Sequence, residues 1–164
     1  LRRLEWAVGR LDIRKVSNSM PAVGLNIASA LEGAMAVEDV AAFPGKITLV
    51  DGKLRHHETP SFGASTHLAT MLLQVMKRDS EKVAILNIKP PLLADGVDIA
   101  KVKSVCEELG YKLAMAPKGV IAKEASKFDI LLDEGAFGWE PSLYILAHNP
   151  LELIDRCHQV LSNF

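Results

Sequence analysis

Leu1, Leu4, Val8 and Leu11 are spaced three or four residues apart, which puts them on one stripe of an α-helix whose other faces carry Arg2, Arg3, Glu5, Arg10 and Asp12. This narrow seam either packs on the domain or zips to a partner, so residues 1–16 read as a linker or packing helix. Met20 to Ala28 reads as a strand entered through Pro21 and interrupted by Gly24 and Asn26. Further on, Lys46–Val50 and Lys53–His57 flank Asp51-Gly52, a pair that closes a two-residue hairpin because both central positions accept positive φ.

Between Gly63 and Arg78 the residues Leu68, Met71, Leu72, Val75 and Met76 repeat at helical period, the strongest helix signal in the chain. Val83 to Ile88 is a continuous apolar run of strand length. Ile99, Val102, Cys106 and Leu109 then mark a helix that Gly110 ends. Tyr111–Ala116, Asp129–Leu132 and Ser142–Ala147 read as strands, with a helical segment expected around Val120 to Ala125. Asn149 as cap, Pro150 at the first helical position and Glu152 near the positive end of the dipole start a last helix, with Leu151, Ile154, Cys157 and Leu161 inward. The alternation predicts an α/β fold: a three-layer helix/sheet/helix sandwich with a mixed central sheet and one β-hairpin.

Composition narrows the class. At 164 residues the chain suits one domain, able to bury roughly 70% of its unfolded surface. Nineteen Lys and Arg against twenty Asp and Glu leave a net charge of -1, so no global positive field holds a nucleic-acid backbone. Hydrophobic content of 49% excludes disorder. The two cysteines, Cys106 and Cys157, fall on apolar helix faces and read as buried, inert thiols. No apolar run approaches the ~20 residues that span a bilayer, and no signal-peptide block opens the chain, so the expected location is the cytoplasm. A start at Leu1 instead of Met points to a segment of a longer protein.

Two templates fail on spacing. Pro44-Gly45-Lys46-Ile47 lacks the upstream Gly and the following Ser or Thr of a P-loop, and Gly63-Ala64-Ser65-Thr66-His67 has His where a nucleophile elbow closes with Gly. His56 and His57, adjacent in a strand, point to opposite faces and cannot share a metal ion.

Three polar islands remain. Ser61 to His67 opens the strongest helix with small residues (Gly63, Ala64, Ser65), leaving N–H groups that an anion can approach, or else forming a plain N-cap. Asp133-Glu134-Gly135, followed by Gly138 and Glu140, stands at the end of a buried strand, where α/β sheets place ligand sites, although Gly and Pro also mark ordinary turns. Asn26 and Asn87, each inside an apolar strand, require partners from a core network or from a ligand.

Taken in order, Pro21-x-Val23-Gly24-x-Asn26, Val40-Ala41-x-Phe43-Pro44-Gly45-Lys46-Ile47, Pro60-x-Phe62-Gly63-Ala64-Ser65-x-His67, Asn87-Ile88, Asp133-Glu134-Gly135-x-x-Gly138-x-Glu140-Pro141 and Asn149-Pro150-Leu151-Glu152 resemble the archaeal thiamine-phosphate synthase domain of the ThiN type. The resemblance runs from about Pro21 to the end. It implies a homodimeric helix/sheet/helix sandwich whose enzymes join a hydroxymethylpyrimidine diphosphate to a thiazole phosphate and release pyrophosphate. Such domains occur behind a pyrimidine kinase, or behind a helix-turn-helix module in thiamine-responsive repressors, where the domain senses thiamine phosphate.

The family's catalytic His matches His67, and the Arg of its Pro-Gly-Arg motif falls on Lys46, which keeps the charge but not the planar fork. Pro117-Lys118-Gly119-Val120 replaces a longer acidic insertion. Ala136-Phe137 is a further departure, and Tyr144-Ile145 stands where the enzymes tend to carry an Arg. Because binding a product needs no transition-state stabilisation, these departures favour an effector-sensing domain of a regulator of thiamine metabolism, needing no cofactor and reaching DNA only through an upstream module. In that reading Gly63 to His67 and Lys46 hold the phosphate, Asp133, Glu134 and Glu140 face a cationic thiazolium, and Asn26 and Asn87 orient a ring. The alternative is an active synthase in which Lys46 and His67 are catalytic and Mg²⁺ is shared between carboxylates and substrate.

Overall fold

The computed structural model describes all residues, Leu1–Phe164. Its strands are β1 (Ile27–Ala30), β2 (Val40–Ala42), β3 (Ile47–Val50), β4 (Lys53–His56), β5 (Ser61–Phe62), β6 (Ala84–Ile88), β7 (Leu92–Leu93), β8 (Gly96–Val97), β9 (Leu113–Met115), β10 (Ile130–Asp133) and β11 (Ser142–Ala147). The α-helices are α1 (Arg2–Gly9), α2 (Ile13–Val16), α3 (Thr66–Arg78), α4 (Ile99–Leu109) and α5 (Pro150–Ser162). Seven strands form one sheet in the order β5-β2-β1-β6-β11-β10-β9. Only the β9–β10 pair is parallel, so the sheet is mixed, as the alternation of elements predicts.

Strand alternation divides the interior into two cores. Ala84, Leu86 and Ile88 of β6 and Leu143, Ile145 and Ala147 of β11 face α1, α2, α4 and α5. Ile85, Tyr144 and Leu146 face the other way, onto Leu68, Ala69, Met71, Leu72 and Val75 of α3. The three-layer sandwich is therefore asymmetric, with four helices on one side and one on the other. Helix α1 belongs to this packing. Its buried stripe is Leu4 and Ala7, continued by Leu11, while Leu1 is exposed.

Local chemistry explains the ends. Asp51 (φ 50) and Gly52 (φ 73) both take the left-handed conformation that turns β3 into β4. The Ser65 hydroxyl accepts from Leu68 N–H to cap α3, Asp98 caps α4, and Gly110 (φ 75) ends α4. Asn149 caps α5 by accepting from Glu152 N–H, with Pro150 at the first position.

Several sequence expectations need correction. The first strand covers only Ile27–Ala30, because Gly24 (φ 94) bends the preceding backbone and leaves Leu25 with a lone bridge to Ile47. No helix forms at Val120 to Ala125. A 3-10 turn at Pro117–Gly119 precedes it, with Lys118 at φ 51, and the segment after it is turn and extended backbone. In α5 the fully buried residues are Leu153, Ile154, Cys157 and Val160, with Leu161 packed partly buried against the same core, whereas Leu151 takes no place in it. Cys106 and Cys157 are buried free thiols, pushed by burial to pKa values of about 11 and about 12, which leaves them unreactive. No helix is long and apolar enough to cross a membrane.

Candidate functional site

Sheet register assembles the site. Antiparallel pairing sets Ile27 opposite Leu86, which places Asn26 next to Asn87, and Asn87 lies directly opposite Tyr144. These three residues form a polar row across β1, β6 and β11, on the face that α3 covers. Above the row the first turn of α3 presents His67, and Lys46 enters from the turn that leads into β3. Together they surround a cavity of about 240 Å³ lined by Val23, Gly24, Asn26, Lys46, Ser65, His67, Leu68, Asn87, Gly138, Trp139, Glu140, Ser142 and Tyr144.

The two asparagines are held by the protein itself. Asn26 Oδ1 accepts from Ile27 N–H (2.8 Å) and Phe43 N–H (3.1 Å), and its Nδ2 donates to the Phe43 carbonyl (3.0 Å). Asn87 Oδ1 accepts from Asn26 N–H (2.8 Å) while its Nδ2 donates to the Gly24 carbonyl (3.3 Å). Of the two possibilities left by the sequence, a core network is what the fold builds, and it fixes the backbone on both sides of the cavity floor.

Lys46 owes its direction to strain. It sits at φ 65 after Gly45 (φ 72), a conformation rare for a residue with a side chain. Its stem lies over Gly24, where any Cβ would come within 3.3 Å of Lys46 Cβ and of the Ile47 carbonyl. No carboxylate lies within salt-bridge distance of its ammonium, as every ion pair of the fold involves other residues. At the start of α3, the N–H groups of Thr66 and His67 precede the first intrahelical hydrogen bond and add the positive end of the helix dipole.

His67 Nε2 lies 2.7 Å from the Tyr144 hydroxyl, with the two rings tilted at 51°. Desolvation beside Tyr144 lowers the His67 pKa, the Lys46 charge lowers it further, and Asp133 opposes the shift. His67 is therefore neutral at pH 7. Burial pushes the Tyr144 phenol up to about 12, so it remains protonated.

The predicted residues divide into three groups. Asn26, Lys46, Ser65, His67, Asn87 and Glu140 share the cavity. Asp133 stands behind its wall: it is buried, and its carboxylate accepts from Trp139 Nε1–H (2.8 Å) and Gly135 N–H (2.9 Å). Glu134 and Gly135 line a separate hollow with Pro117 and Lys118, and Gly63 and Ala64 lie outside the cavity. Glu140 Oε1 accepts from Ala22 N–H (2.8 Å), strapping the 135–141 loop to the turn that carries Val23. The acidic residues thus serve the backbone or point apart. No three His, Cys, Asp or Glu side chains gather to hold a cation.

Seven lining residues have no counterpart among the predicted site residues, Tyr144, Trp139 and Val23 among them. Tyr144 stands out in the sequence only as a departure from the family's Arg, within a strand that reads as buried. Trp139 sits in a turn whose glycines draw attention away from it, and Val23 enters the sequence reading only as a motif residue beside Gly24.

The cavity is floored by the sheet and lined by Lys46 together with Ser65 and His67 from the N-terminal end of α3, in an α/β domain. The model of the thiamine-phosphate synthase ThiN family matches residues 3–159, and the chain belongs to this family. It is 24% identical over 165 residues to the thiamine-phosphate synthase ThiN of Methanothermobacter thermautotrophicus, covering 88% of this chain and 83% of that protein. It is also 31% identical over 150 residues to the bifunctional thiamine biosynthesis protein ThiDN of Methanocaldococcus jannaschii, with 84% of this chain matched to 34% of that longer protein. Among solved structures, the C-terminal domain of a phosphomethylpyrimidine kinase superposes with a TM-score of 0.84 at 22% identity, over 97% of this chain and 96% of the other. A second C-terminal domain gives 0.78 at 22% identity over 99% and 93%. These two likenesses establish the fold.

Proposed function

We propose that the chain is a thiamine-phosphate synthase domain, joining hydroxymethylpyrimidine diphosphate to a thiazole phosphate with release of pyrophosphate. The observation that carries this reading is the placement of Lys46 and His67 on one cavity at the N-terminal end of α3. Of the two relatives, one is named a thiamine-phosphate synthase and the other a bifunctional thiamine biosynthesis protein, and neither name refers to regulation. This favours the synthase over the sensor as the first reading.

In this proposal Lys46 and the open N–H groups of α3 meet the phosphate charge. As the diphosphate departs, negative charge grows on the leaving oxygen, and a fixed ammonium in a partly enclosed cavity lowers the cost of that step. Neutral His67, held through Nε2 by Tyr144, hydrogen-bonds near the same group. Any Mg²⁺ enters as companion of the substrate's diphosphate, and no step here depends on the protein holding it. The domain acts in the cytoplasm as a homodimer.

Pyrophosphate release from the two precursors is the test. Multiple turnovers are expected, with kcat/KM lowered by about 100-fold in Lys46→Ala. One observation favours the sensor as second reading: a point ammonium replaces the family's Arg fork while Tyr144 engages His67. Tight thiamine phosphate binding with no pyrophosphate release would establish the sensor and reject the synthase.

A further inference from the structure

Trp139 is the indole among the cavity's aromatic side chains, beside His67 and Tyr144, and the fold fixes its ring in place. Trp139 is 38% exposed, and it lines the cavity that Lys46 and His67 share. Its Nε1–H is bound at 2.8 Å to the buried Asp133 carboxylate, whose other oxygen holds Gly135 N–H. Ala136 and Trp139 close the loop with two reciprocal backbone hydrogen bonds of 2.9 Å. At Gly135 (φ 77) a Cβ would come within 2.7 Å of the Trp139 carbonyl and 2.8 Å of Pro141 N, so no side chain fits beneath the loop. The indole edge comes down onto Gly119, 4.0 Å from the position of a Cβ there, beside His67 Cε1 at 3.8 Å. The turn at Gly119 thus lies close to both Trp139 and His67.

We propose that Trp139 is the ring-binding wall of the site: a planar, electron-poor heterocycle of the substrate stacks on its indole while the phosphate goes to Lys46. Asp133 is a positioning residue that acts through Trp139 and does not face the ligand's charge directly. This proposal rests on the functional reading above and deepens it by naming what selects the ring. An immobilised indole suits this task because its orientation is set before the ligand arrives, and its π-face favours cationic or polarised rings. The two carboxylate oxygens of Asp133 are already occupied by N–H donors, whereas the indole has an exposed surface in the cavity.

The chain has two tryptophans, and the other, Trp6, is exposed on α1, across the sheet. Trp6→Phe therefore makes Trp139 the sole indole reporter. Titration with thiamine phosphate is expected to quench its emission, with the same midpoint as the calorimetric heat. Trp139→Phe keeps a stacking face but loses the Nε1–H anchor to Asp133, so it should bind more weakly than the parent yet more tightly than Trp139→Leu, which should weaken binding by about tenfold or more. Inorganic phosphate, which has no ring, should bind the parent and Trp139→Leu equally. Heat from thiamine phosphate with unchanged Trp139 emission, or equal affinity in the Leu variant, overturns the proposal while leaving the functional reading in place. Absence of both heat and an emission change with thiamine phosphate overturns this proposal, whereas the functional reading falls if the unsubstituted protein releases no pyrophosphate from the two precursors.

Discussion

Replacing Asn26 by Ala tests the network under the cavity floor. The substitution removes the only acceptor of two N–H groups, those of Ile27 and Phe43, both in fully buried residues. The Phe43 carbonyl is less affected because it also accepts from Lys46 N–H at 3.1 Å. Two orphaned donors at ~1–3 kcal/mol each give a loss of about 3 kcal/mol. For a domain of this length that corresponds to a fall in melting temperature of roughly 6–12 °C. Asn87→Ala orphans only one N–H, that of Asn26, and should cost about half as much. Urea unfolding of both variants, fitted with a common m-value, reads the two losses. A cost below about 1 kcal/mol for Asn26→Ala, or a larger cost for Asn87→Ala, would refute this accounting.

Other expectations follow from separate parts of the fold. Lys82 is nearly buried between Asp79 (3.0 Å) and Asp129 (3.3 Å), so Lys82→Ala should destabilise by about 3 kcal/mol in urea melts at pH 7 by leaving Asp79 uncompensated. Gly24→Ala forces a side chain onto Lys46 at φ 94 and should cost about 1–2 kcal/mol, measured the same way, and also weaken phosphate binding in titration. Desolvation, and then the nearby Lys15 charge, lower the pKa of His158, whose Nε2 accepts from Asp12 N–H at 3.0 Å. Its folded pKa lies below the ordinary 6.5, so the unfolded chain takes up the proton first. Stability should fall as pH drops from about 6.5 toward the folded value, and His158→Gln should flatten that slope in thermal melts.

The legible parts of the chain were those written in local chemistry. Asp51-Gly52, Gly110 and Asn149-Pro150 each demand one backbone conformation, and the turns and caps formed where those residues stand. The expected helix at Val120 to Ala125 failed because Pro117, Lys118 and Gly119 spend their conformations on a turn, with Gln74 of α3 donating to the Gly119 carbonyl (2.8 Å) and accepting from Ile121 N–H (3.2 Å). Nothing in the local sequence announces Gln74. Likewise Asn26 and Asn87 stood out as polar residues in apolar strands, yet their pairing across 61 positions depends on strand order. The places of Tyr144 and Trp139 on the cavity were hidden for the same reason. One becomes polar only when His67 is brought over it, and the other becomes a wall only once Asp133 anchors its ring.

In the proposed function, Lys46, His67 and the start of α3 receive the phosphate of a thiamine compound in one cavity. Diffraction from crystals grown with thiamine phosphate tests it most directly. The phosphate is expected within hydrogen-bonding distance of Lys46 Nζ and the first N–H groups of α3, with a ring against Trp139. Density for the ligand in the hollow of Lys118 and Glu134 instead, with the Lys46 cavity holding only water, would contradict it.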